Sequence, residues 1–163
     1  MNRNENRKLI SVFSVVALIL ASCSFFSGCS KNSSPVDPVA NVQIDYGESE
    51  IYSKEDMDAA IELIKAEFST WKGCTLKKIY YVSDDECSEQ NVNDLNEIEA
   101  SNDNKEVFTQ CIMFESDFHT PKRTYLDQLV DFNSFEEDED YIAWQWWLGR
   151  SETGNWKLVT WGY

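Results

Sequence analysis

Histidine is almost missing from this chain of 163 residues, proline is scarce, and the six glycines are scattered. His119 is the only histidine, so a metal cluster built on several imidazoles is excluded, and a Ser-His-Asp system would have to use that one ring. No phosphate-cradling glycine loop and no GxSxG elbow is present. Basic residues are also few: 14 Lys and Arg face 29 Asp and Glu, for a net charge of −15. A chain so acidic is repelled by phosphate backbones and anionic headgroups, which disfavours nucleic acid as a partner. Five cysteines without a CxxC pair give neither a zinc signature nor a readable disulfide framework. Internal repeats are absent, and no motif calls for a cofactor or metal.

What is present begins with targeting grammar. Arg3, Arg7 and Lys8 form a short basic region, Leu9 to Ala21 is apolar but for Ser11 and Ser14, and small residues precede Cys23. Leu20-Ala21-Ser22-Cys23 resembles the lipobox of bacterial lipoproteins. That resemblance implies diacylglyceryl transfer to the Cys23 thiol and cleavage before it, leaving a stable two-chain anchor in the bilayer. Two alternatives stay open: an uncleaved span across the uncharged stretch Leu9 to Cys29, and lipidation at Cys29. Losing residues 1–22 removes three basic residues and one acid, lowering the net charge by two further units. The expected organisation is a signal peptide over 1–22, a lipidated cysteine and flexible tether over 23–50, and one α+β domain over 51–163. Pro35, Pro38 and the Ser, Asn and acidic residues around them motivate the tether. The expected location is extracytoplasmic, anchored to the cell membrane by lipid.

The domain opens on a strong helix signal. Ser53 is a good N-cap, Asp56 stands where a capping-box acid belongs, and Tyr52 and Met57 can staple the entry. Met57, Ala60, Ile61, Ile64, Phe68 and Trp71 then recur at steps of three and four, forming one apolar stripe, and Gly73 suits the exit. The spacing predicts a long N-terminal helix over about 54–72. Strands follow over Thr75 to Ser83 and Val107 to Phe118, with a short helix between them that starts at Ser88 and carries Val92, Leu95 and Ile98. A helical turn is expected within 124–132. Glu136 to Asp140 is five acids in succession, lacks the spacing of a calcium loop, and is expected to be a solvated turn.

The chain closes with a hairpin signal. Tyr141 to Arg150 and Trp156 to Tyr163 flank a loop containing Gly154. Pairing Arg150 with Trp156 would put Trp144, Trp146, Leu148, Trp156 and Leu158 on one face and Trp147, Val159, Trp161 and Tyr163 on the other. A slip of one residue would regroup them. One face should seal the core beneath the helix, and the other needs its own cover: a second layer, a partner or a ligand. The expected architecture is therefore α+β, with the helix packed on a curved, mainly antiparallel sheet that ends in an aromatic hairpin. Trp144, Trp146, Trp147, Trp161 and Tyr163 are the candidate ligand-binding residues.

Ile51-Tyr52-Ser53-Lys54-Glu55-Asp56, Trp71-Lys72-Gly73-Cys74 and the closing Trp156 to Tyr163 together resemble a group of uncharacterised lipoproteins of Gram-positive bacteria. Those are similar to the nuclear-transport-factor-2-like superfamily. The resemblance covers about 50–163 and implies a curved sheet wrapped on a long helix with a pocket. Some members are isomerases or dehydratases and many only bind, but no catalytic motif maps onto this chain.

Three functions remain. The first is a non-enzymatic binding or interaction module for an unknown small molecule or protein. The second is an isomerase- or dehydratase-type enzyme with Asp117, Glu115 or His119 in an aromatic pocket. The third is a homodimer through the second aromatic face. Cys74 with Cys87 is the cysteine pair expected to be worth testing as a disulfide, and Cys111, inside an apolar run, is expected to be a buried small hydrophobe.

Overall fold

The computed structural model describes residues 37–102, 106–123 and 135–163. The expected signal peptide, Cys23 and the first part of the expected tether lie outside the described residues, as does the helical turn expected within 124–132. Within the compact unit Val36–Tyr163 the described residues form an α+β fold: an open five-stranded mixed sheet with two helices. Among the described residues no helix is long and apolar enough to cross a membrane.

Helix α1 spans Lys54–Phe68. Its start follows from local chemistry. Ser53 Oγ accepts from the Asp56 backbone N–H at 3.2 Å, and the Asp56 carboxylate accepts from the Ser53 N–H at 3.3 Å, closing a reciprocal cap with Asp in place of the usual Glu. Met57, Ala60, Ile61, Ile64 and Phe68 are buried, as the stripe requires. The expected long N-terminal helix is corrected on two counts. The helix stops at Phe68, because the Ser69 and Thr70 hydroxyls donate to the carbonyls of Lys65 and Glu67 at 2.7 and 2.8 Å and close its last turn. Trp71 then turns into the core, and Gly73 takes a φ of +75° against Pro121, where a Cβ would come within 2.9 Å of the ring. Nor is the helix the first element, because strand β1, Gln43–Asp45, precedes it.

That strand falls within the expected tether. Val39, Val42, Ile44 and Tyr46 pack against the core, and β1 lies parallel on β2, Thr75–Tyr81. Few as they are, these apolar side chains suffice to dock this segment on the core. The remaining strands are β3 (Gln110–His119), β4 (Asp140–Arg150) and β5 (Lys157–Gly162), stacked antiparallel in chain order. A 3₁₀ turn, Asp84–Cys87, and helix α2, Glu89–Ser101, join β2 to β3. Ser88 caps α2 by accepting from the Asn91 N–H at 3.2 Å.

The sheet separates two layers. Its inner face, under α1, holds Leu76, Ile79, Tyr81, Ile112, Phe114, Phe118, Trp146 and Leu148. Its outer face, under α2, holds a smaller cluster of Leu95, Phe108 and Cys111 with Trp147 and Val159 beside it. Polar fastenings hold this second layer. The Asn96 amide donates to Phe108 O at 3.1 Å and accepts from Phe108 N at 2.7 Å, and the buried Glu99 carboxylate meets Lys157 Nζ at 2.5 Å.

Candidate aromatic surface

Side-chain alternation and its interruptions position the candidate residues. Near the turn the hairpin follows the expected register, with Gly149 opposite Lys157 and Leu148 opposite Leu158. One residue further, the register shifts, and Trp147 pairs with Thr160 and Trp146 with Trp161. Val159 is the extra residue of a bulge. The expected grouping is corrected from that point: Trp147 and Val159 stay on the outer face, but Trp161 and Tyr163 pass to the inner face. A second bulge, between Phe118 and Ser116 of β3 and their partners on β4, inserts Ala143 at φ +59°. It turns Tyr141 inward to stack on Phe118 at 4.9 Å and leaves Ile142 exposed.

Four of the five candidates therefore meet on one side. Trp146 is buried, and its Nε1–H donates to the buried Ser116 hydroxyl at 2.8 Å. Trp71 stacks on Trp146 at 5.3 Å and meets Trp144 edge-on at 6.0 Å. Above these rings lie Trp161, stacked on Trp146 at 6.0 Å, and Tyr163, edge-on to Trp144 at 5.0 Å. The upper rings are open: Trp161 is 40% exposed and Tyr163 77%. Beneath Tyr163, Trp144 Nε1 is buried with no hydrogen-bond partner among the described residues. A buried donor left unpaired costs about 1–3 kcal/mol, so this is a site of stored polar demand. Tyr163 itself is held by one hydrogen bond, from its hydroxyl to Ile142 O at 3.3 Å.

Trp147 is apart from these four. It is half-buried on the outer face, its Nε1–H donates to Gln145 Oε1 at 3.1 Å, and with Asn91, Asp94, Leu95, Ile98 and Thr160 it lines a cleft of about 130 Å³ beneath α2. The second aromatic face is thus covered by a layer of the protein itself, incompletely.

The three residues considered for acid–base work also leave the aromatic side. Glu115, Asp117 and His119 alternate with the inward Phe114, Ser116 and Phe118, so the pleat directs them to the opposite face. Asp117 accepts from the Ala143 N–H at 3.2 Å, fixing the bulge, and lies 3.5 Å from the Tyr80 hydroxyl, whose pKa is raised by burial first and then by these neighbouring carboxylates. His119 Nδ1 lies 2.8 Å from Asp140, and Lys77 Nζ reaches the same carboxylate at 2.6 Å, holding its pKa below the ordinary 3.8. The acidic run is a paired turn: Asp138 meets Lys122 at 3.3 Å, and Thr120 is bonded to the backbone of Glu136 and Glu139. Among the described residues no group of three or more His, Cys, Asp and Glu is placed to hold a metal ion.

Cys74 and Cys87, the cysteine pair worth testing as a disulfide, stand far apart. Cys74 is buried just before β2, its thiol pushed up to about 11 by burial, while Cys87 lies beyond the other end of that seven-residue strand, roughly 20 Å away. All three cysteines of the described residues are free.

No protein-family model matches the chain, no curated protein matches it, and no solved structure matches it.

Proposed function

We propose that this chain is a lipid-anchored extracytoplasmic binding module. Its working surface is the aromatic step formed by Trp144, Trp161 and Tyr163. The observation that carries the reading is the exposure of Trp161 and Tyr163 directly above the packed rings of Trp146 and Trp144. Two large rings resting on a rigid aromatic base give contact area at little cost in side-chain entropy, a combination enriched at binding sites. The ligand suited to this surface has a neutral apolar face and one hydrogen-bond acceptor. The apolar face lies on Trp161, and the acceptor meets Trp144 Nε1 once Tyr163 swings aside. A strong anion is disfavoured by the acidic chain.

Anchoring through Cys23 would hold this surface outside the cell, on a tether ending before β1. The proposed kinship with nuclear-transport-factor-2-like proteins requires a curved sheet, and the bulges in β2, β4 and β5 support it.

The test uses an uncharged apolar dye, Nile red, whose emission rises on an exposed apolar surface. The parent chain should enhance it, and a Trp161→Ala, Tyr163→Ala double variant that keeps its circular dichroism should lose most of the enhancement. Equal enhancement in both would place the apolar surface elsewhere and end this reading.

A further inference from the structure

Cys87 and Cys111 stand in contact between two elements far apart in sequence. Cys111 projects from β3 to the outer face and is fully buried. Its thiol points to the carbonyls on either side of Cys87, at 3.5 Å from Glu86 O and 4.0 Å from Ser88 O. Cys87 ends the 3₁₀ turn, is half-buried, and has the Tyr81 hydroxyl 3.4 Å from its sulfur. Cys87 itself packs against the buried cluster that contains Cys111.

We propose that Cys87 and Cys111 are a redox pair that closes to a disulfide, with Cys87 as the attacking sulfur and Cys111 as the resolving one. The oxidant is an external disulfide of a small thiol or of a protein. The Cys87 thiolate attacks one sulfur of that disulfide and expels the other as a thiolate, forming a mixed disulfide. Cys111 then loses its proton and attacks the Cys87 sulfur, expelling the second thiol of the oxidant. Two electrons and two protons pass to the external disulfide, which becomes two thiols.

The environment assigns the roles. Cys87 is partly open to solvent, and the neighbouring Cys111 thiol first and then the Tyr81 hydroxyl favour its thiolate, lowering its pKa from the ordinary 9.0. Cys111 is closed off, and the Cys87 sulfur beside it together with burial raises its pKa, so it reacts only within the pair. Closing the bond ties the turn before α2 to the central strand β3, fastening the outer layer covalently.

The full reduced chain is incubated with oxidised glutathione, trapped with N-ethylmaleimide, cut with trypsin without reduction and read by mass spectrometry. Cleavage at the lysines between them puts Cys74, Cys87 and Cys111 on separate peptides. The expected product is one linked pair, the Cys87 peptide with the Cys111 peptide, reversed by dithiothreitol, with Cys74 fully alkylated. In a Cys111→Ala variant that keeps its circular dichroism, Cys87 should accumulate as the glutathione mixed disulfide. In Cys87→Ala, Cys111 should stay unmodified. Both cysteines recovered alkylated on separate peptides at every glutathione ratio, or linked chiefly to another cysteine, would overturn the pair. Glutathione on Cys111 of the folded Cys87→Ala variant would overturn the assignment of roles.

Discussion

The two faces of this sheet are built on different principles. The inner face is sealed by α1 mainly through apolar and aromatic contact: a run of rings and aliphatic chains from Tyr52 to Trp156, with Ser116 as a satisfied polar guest of Trp146. The outer face carries a thin apolar cluster, and α2 is held there by an ion pair and an amide clamp on Phe108. The difference follows from composition. The α1 stripe is continuous over about three turns, whereas α2, with Gln, Asn, Asp and Glu along most of its length, presents only Val92, Leu95 and Ile98. A helix with so little to bury must be fastened by specific polar bonds. The inner layer should therefore resist local change through bulk, and the outer layer should fail when a single partner is removed.

The comparison breaks most readily on the inner side. Phe68 is completely buried against Trp71 and Phe118, with ring centroids 5.0 and 5.5 Å away. Phe68→Ala should cost about 3–5 kcal/mol in urea unfolding. A variant as stable as the parent would mean that α1 does not seal the core.

Lys157 tests the outer fastening. Removing one partner of a buried ion pair typically costs about 3–5 kcal/mol. Lys157 is 34% exposed, so solvent screening reduces the expected loss for Lys157→Met to about 2 kcal/mol. Adding Glu99→Leu should recover most of that loss, because the stranded carboxylate is what makes the single variant costly. No recovery in the double variant would show that Lys157 acts through its stem rather than its charge.

A smaller effect links the two ends of the inner layer. Arg150 Nη1 lies 2.6 Å from Asp56, inside the α1 cap, and holds that carboxyl below its ordinary 3.8. A depressed acid stabilises the fold fully above its unfolded value, and the contribution disappears as pH falls through the folded one. The stability gap between the parent and Asp56→Asn should therefore be constant near neutral pH and shrink below about pH 3.8. A gap independent of pH would remove Arg150 from the cap.

Most of the inner layer was legible in the residues themselves. The stripe from Met57 to Phe68, the Ser53 cap, the β-branched and aromatic runs of β2 and β3 and the aromatic hairpin all declare themselves by period. Three features did not. Strand β1 is three residues long, and its partner lies 35 residues away, so no local pattern marks it. The Val159 bulge moves Trp161 from one face to the other, and a single inserted residue leaves no trace in a period-two pattern. The Glu99–Lys157 and Cys87–Cys111 meetings depend on where α2 lands, which only the tertiary packing decides. The candidate aromatic residues were thus divided wrongly between faces. Trp161 and Tyr163 belong with Trp144 and Trp146, and Trp147 belongs with α2.

Acrylamide quenching of tryptophan fluorescence tests the central claim, that one open aromatic step stands on an otherwise sealed inner layer. Among the ring-stacked tryptophans of that layer, Trp71 and Trp146 are buried and Trp161 is open. Single Trp→Phe variants at positions 144, 146, 147 and 161 should differ sharply. Trp161→Phe should remove the largest part of the quenchable emission, and Trp146→Phe should leave that part unchanged. If the quenchable part survives in Trp161→Phe, the step is closed, and the exposed binding surface proposed for this protein does not exist.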